Sequence, residues 1–111
     1  MRSTIIIKEI SYQDFKELVK PYLSYIFVSP HALDRLSDTQ RKMFTQEQLI
    51  YPLLHETLRF IGRQENGRYA LFFRRPYGFL RIVIAIKIDK LEIVTFINTK
   101  TIPRLNNHET S

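Results

Sequence analysis

The chain contains no cysteine and no tryptophan, has only three glycines in 111 residues, and is poor in acidic residues over its C-terminal half. Without cysteine there can be no disulfide, no thiol nucleophile and no Cys-ligated zinc site. The redox compartment is therefore undetermined, although an intracellular protein fits this usage best. Gly62, Gly67 and Gly78 are too scattered to form a Walker loop or a dinucleotide fingerprint. His31, His55 and His108 fall on separate stretches, and no His/Asp/Glu spacing makes a ligand set, so neither a metal nor a cofactor is expected. No sharp turn presents a nucleophile, and the acid-poor half offers no carboxylate pair for glycoside chemistry. No run approaches the ~20 apolar residues of a membrane span. The opening Met1-Arg2-Ser3-Thr4 and three isoleucines, cut short by Lys8 and Glu9, do not read as a signal peptide. The expectation is a cytoplasmic protein with no membrane partner.

Positive charge is what the chain has in excess. The net charge is +6, and its placement is uneven. Between Thr57 and Arg104 there are ten basic residues against the three acids Glu65, Asp89 and Glu92, whereas the remainder is close to neutral. A one-sided field of this kind attracts polyanions and speeds their encounter.

A chain of this length makes one domain and needs no metal or disulfide to hold it. We expect a single α+β domain over residues 1–104 and a flexible tail over 105–111. Thr4–Ile10 reads as a short strand, and Ser11 caps a helix carrying Phe15, Leu18, Val19 and Tyr22, which Pro21 kinks or ends. Tyr22–Val28 fits either a continued helix or an extended strand. Ser29 and Pro30 are the cap and first residue of a second helix. Thr45 with Gln48 forms a capping box for a third, stapled by Phe44 and Leu49 and reaching about His55. The period then changes to two. Leu58–Gln64, Arg68–Arg75, Phe79–Ile88 and Leu91–Asn98 alternate as strands, with Glu-Asn-Gly, Pro-Tyr-Gly and Asp-Lys between them. Links this short require antiparallel hairpins. The expected fold is thus N-terminal helices packed on a four-stranded, twisted antiparallel β-meander. One sheet face should be core and the other half-polar, with room for a ligand.

Histidine near its neutral-pH titration range can move a proton, and arginine can hold the charge that builds on phosphorus. RNA supplies its own nucleophile, the 2′-hydroxyl, so this pairing needs no metal. His31 and Arg35 stand four residues apart on one helix face. Arg81 interrupts an otherwise apolar strand, a costly place for a guanidinium. Each residue also has a structural reading: His31 bonding the loop after it, Arg35 pairing with Asp34 or Asp38, Arg81 in an ion pair. Arg59, Arg68, Arg74, Arg75 and Lys87 can follow a phosphate backbone, and Tyr69 and Tyr77 can stack bases.

Ser29-Pro30-His31-Ala32-Leu33-Asp34-Arg35, Gly67-Arg68-Tyr69, Leu80-Arg81-Ile82-Val83 and Ile93-Val94-Thr95 occur in the order that resembles the RelE/ParE/BrnT-like small toxins of the barnase–RelE-like nuclease grouping. The likeness covers roughly residues 26–98. It implies a RelE-like fold and metal-independent ribonuclease or gyrase-inhibiting toxin activity. It also implies RNA as partner, including ribosome-bound messenger, and a cognate antitoxin; homodimerisation is left open. By position His31, Arg35 and Arg81 are the catalytic candidates. Thr95, Asn98 or Lys100 stands at the end of the last strand, with Lys100 the preferred phosphate holder. The place of a second helix arginine is taken by Thr39, with Arg41 the nearest substitute. The alternative is a non-catalytic module that binds nucleic acid or protein on the same fold.

Overall fold

The computed structural model describes residues 5–34 and 46–103, with the side chains of 46–49 excepted. Its centre is a six-stranded sheet in the order β1-β3-β4-β5-β6-β2. The strands are β1 (Ile6–Glu9), β2 (Ile26–Val28), β3 (Leu58–Gln64), β4 (Tyr69–Arg75), β5 (Gly78–Ile86) and β6 (Leu91–Thr99). Three helices, α1 (Tyr12–Val19), α2 (Pro30–Asp34) and α3 (Gln46–His55), and a 3₁₀ turn at Lys20–Tyr22 complete the described residues.

This corrects the expected architecture. The sheet has six strands, not four, and it is mixed: β2 runs parallel to β6, whereas all other neighbours are antiparallel. The N-terminal part is not simply a helical layer on a meander, because it supplies both edge strands. β1 pairs with β3, and β2 pairs with β6, across long stretches of sequence. A period-two pattern reveals hairpins between adjacent runs; it gives no sign of which distant edge a four-residue or three-residue strand will join. Tyr22–Val28, open between helix and strand, divides into the 3₁₀ turn and β2.

Local chemistry accounts for the element boundaries. Ser11 Oγ accepts from the Asp14 amide at 3.0 Å, and Ser29 Oγ accepts from the Ala32 amide at 3.0 Å, so each hydroxyl caps a helix as expected. The capping box at Thr45 lies outside the described residues. The β3–β4 hairpin closes through the four residues Glu65–Arg68, with Gly67 at φ +87°, where a β-carbon would be strained. At Gly78, φ +142°, a β-carbon would also collide with the Thr99 carbonyl.

The helices cover one sheet face. Phe15 and Val19 of α1, Ala32 of α2, and Ile50 and Leu53 of α3 pack with Leu71, Phe73, Ile82, Ile84 and Ile93. The other face differs from the half-polar surface expected. It carries its own apolar cluster of Ile6, Ala70, Phe72 and Val83, with Phe60, Phe79 and Ile102 against it. Consecutive Phe72 and Phe73 are both fully buried, one in each layer.

Candidate functional site

Strand alternation places Arg81 on the face away from the helices. Its neighbour Ile82 is in the helix-covered core, and its cross-strand partner Phe72 is in the opposite cluster. The Arg81 guanidinium lies 5.3 Å from the Phe72 ring centroid and donates from Nη2 to Gln64 Oε1 at 2.8 Å. It is half-buried, and that desolvation holds its pKa below the usual arginine range. Gln64 is 1 % exposed and donates from Nε2 to Asn66 Oδ1 at 3.1 Å. Arg74 occupies the same face, its guanidinium 5.9 Å from the Phe79 centroid.

Strand register also sorts the charges. Leu58 pairs with Phe73, Arg75 with Gly78 and Phe79 with Thr99, which brings Arg59, Arg74, Arg75, Tyr77 and Lys100 to one end of the sheet. Glu65, Asp89 and Glu92, the acids of the basic half, are all at the other end, in or beside the β3–β4 and β5–β6 turns. At the cationic end Glu56 is engaged by Arg75, at 2.7 and 3.3 Å. Tyr77 projects from the β4–β5 turn, 95 % exposed.

The predicted site residues are thus divided. Arg59, Arg74 and Lys100 are exposed at the cationic end. Arg75 is there too, but bound to Glu56. Arg68 and Lys87 belong to the opposite end, and Lys87 Nζ is 3.8 Å from a Glu92 carboxylate oxygen. Tyr69 is half-buried on the helix-covered face, its ring 6.1 Å from that of Phe15, and serves packing there. His31 is exposed on α2. Because Ala32 and Leu33 anchor α2 in the helix-side core, the sheet lies between His31's helix and Arg81. The structure does not bring this expected pair together. Arg35, Thr39 and Arg41 lie outside the described residues.

Gln64 escaped the sequence reading, although a signal was present. It shares a strand face with Phe60 and Gly62, which places an amide on an inward position one residue before a turn. No group of three or more His, Asp or Glu among the described residues could hold a metal, and no described helix is long and apolar enough to cross a membrane. Comparison with protein-family models, curated proteins and solved structures returned no match.

Proposed function

We propose that this protein binds single-stranded RNA at the cationic end of the sheet, where Arg59, Arg74, Tyr77 and Lys100 are exposed beside the face that lies away from the helices. The observation that carries this reading is the uneven placement of charge: Arg74 and Arg81 lie over the Phe79 and Phe72 rings on the face away from the helices, and Arg59, Lys100 and Tyr77 border it, while Glu65, Asp89 and Glu92 lie at the far end. A polyanion meets an excess of cations at one end, whereas at the other Arg68, Lys87 and Lys90 are offset by Glu65, Asp89 and Glu92, so the field orients as well as attracts. Tyr77 offers a stacking surface of the sequence-tolerant kind that single strands use. A cytoplasmic toxin-type role with an antitoxin partner is the setting that the sequence resemblance adds to this proposal.

Binding is favoured over cleavage because Arg81 and the helix bearing His31 occupy opposite sides of the sheet. One phosphate cannot meet both side chains there. The test is fluorescence anisotropy of a labelled single-stranded RNA in EDTA at several salt concentrations, beside its all-deoxy counterpart. We expect binding that weakens steeply with salt and falls about tenfold in Arg74→Ala and in Arg81→Ala, with smaller losses in Arg68→Ala and Lys87→Ala. No binding at low salt, or equal sensitivity at the two ends of the sheet, would overturn the reading. Scission to 2′,3′-cyclic ends, abolished in His31→Ala, would restore the ribonuclease.

A further inference from the structure

Tyr77 is 95 % exposed, so its ring contributes little to the fold, yet the turn that carries it is held on both sides. Only Pro76 and Tyr77 separate β4 from β5, and Arg75 pairs with Gly78 across the hairpin. The pyrrolidine ring of Pro76 fixes φ directly ahead of the tyrosine. On the β6 side Gly78 rests against backbone. A β-carbon there would collide with the Thr99 carbonyl and stand 3.1 Å from the Lys100 α-carbon. The turn is thus seated on the end of β6.

The helix side supplies the second support. Consecutive Arg74 and Arg75 take opposite sides of β4, so Arg74 shares the face of Phe72 while Arg75 turns toward the end of α3. There its guanidinium forms a fork with Glu56: Nη1 donates to Oε1 at 2.7 Å and Nη2 donates to Oε2 at 3.3 Å. Nη1 also donates to the Arg74 carbonyl at 2.7 Å, which ties the fork to the strand's backbone. Glu56 is anchored in turn, because its amide donates to the Pro52 carbonyl at 3.1 Å and extends the last turn of α3. Ile50 and Leu53 pack that helix on the core. One chain of contacts therefore runs from the core through α3, Glu56 and Arg75 to the turn. An exposed ring on a turn held in this way loses little freedom when a flat partner stacks on it.

We infer that the β4–β5 turn is a nucleobase subsite, in which one base of the bound strand stacks on Tyr77, and that Arg75 and Glu56 are positioning residues that hold the turn for it. The inference rests on the reading of the cationic end as an RNA site. It fixes the sign of one effect. Glu56 is a negative charge beside a polyanion path, so if charge alone mattered Glu56→Ala would tighten binding. A positioning role gives the opposite, weaker binding.

The test uses the full chain, with thermal melting as the folding control. Two labelled strands of equal length are compared, an RNA and an abasic ribose-phosphate strand that keeps the phosphates. Tyr77→Ala should weaken RNA binding about fivefold, the lower end of a stacking contact, with the salt slope retained and the abasic strand unaffected. Glu56→Ala, and Arg75→Lys, which keeps the charge and loses the fork, should each weaken RNA binding about threefold. In a Tyr77→Ala background neither should weaken it further. A second readout reports on the turn itself. Tyr77→Trp places one indole in a chain that has no tryptophan. Its anisotropy decay should show freer rotation once Glu56→Ala is added, and RNA should quench it where the abasic strand does not. Tighter RNA binding in Glu56→Ala, or an indole equally mobile with and without Glu56, would overturn the positioning role while RNA binding stands. RNA that binds without quenching the indole and no better than the abasic strand would remove the base subsite alone. Failure of both strands to bind at low salt would remove the RNA reading and the subsite with it. Should Glu56→Ala fail to fold, undiminished RNA affinity in Arg75→Lys would overturn the positioning role.

Discussion

The two faces of the sheet are built from the same alternating strands, yet they do different work. On the helix-covered face the inward positions of β4 and β5 include Leu71, Phe73, Ile82 and Ile84, all with no exposure and packed in one apolar cluster. On the other face Ala70, Phe72 and Val83 are just as buried, but Arg81 and Gln64 stand among them. Polar groups survive in such a place only when hydrogen-bonded, because an unmade bond there costs about 1–3 kcal/mol. The contrast teaches that burial alone does not mark a core. One face packs apolar strands against helices, with the Ser29 hydroxyl taken up in a helix cap, and the other is an apolar bed in which a cation is mounted.

The largest effects should come from emptying each bed. Phe73→Ala removes a fully buried ring from the helix-side core, where helices and strands surround it, and should cost about 3–5 kcal/mol in urea unfolding. Phe72→Ala should cost less, since the Arg81 arm and Ile102 can settle into the space, but it should also weaken RNA binding. Equal stability losses, or an RNA defect in Phe73→Ala and not in Phe72→Ala, would erase the distinction between the faces.

Next comes the attempt to make the Arg81 face as apolar as the helix-side core. Arg81→Leu alone strands the buried Gln64 oxygen and should destabilise by about 1–3 kcal/mol. Arg81→Leu with Gln64→Leu removes both partners, so most of that loss should return, while RNA affinity stays low. The non-additivity belongs to neighbouring groups that share one bond. A double variant no more stable than Arg81→Leu would mean that the pair is not the source of the cost.

Smaller again is Ser29→Ala. It deletes the cap on α2 and should cost about 1 kcal/mol, measured by thermal or urea unfolding, with RNA affinity unchanged because α2 packs on the other side of the sheet. A parallel loss of RNA binding would show that the faces are coupled.

Legibility in the sequence followed the range of the interactions. The caps at Ser11 and Ser29, the turn at Gly67 and the C-terminal strand runs depend on neighbours within a few residues, and such signals are written locally. Ile6–Glu9 and Ile26–Val28 are edge strands only because β3 and β6 lie free to receive them, a fact decided by the whole fold. The candidate site shows the same division. Arg81 could be singled out because a guanidinium breaks an apolar run, whereas its tether Gln64 is on another strand, 17 residues away. The His31–Arg81 pairing failed for the converse reason: spacing and order carry no information about which side of a sheet a helix will cover.

His31→Ala is the smallest expected effect and the sharpest test of the two-face comparison. The imidazole is exposed on a short helix whose buried anchors, Ala32 and Leu33, belong to the helix-side core. If RNA lies on the Arg81 face, removing this side chain should shift affinity by no more than about twofold, under 0.5 kcal/mol. Arg81→Ala, measured beside it in the same salt series, should lower both the affinity and the slope. A His31→Ala defect as large as that of Arg81→Ala would mean that one RNA strand engages both sides, passing around the β6–β2 edge where α2 meets the sheet. The faces would then form one continuous binding path, and catalysis between histidine and arginine would regain a geometric basis.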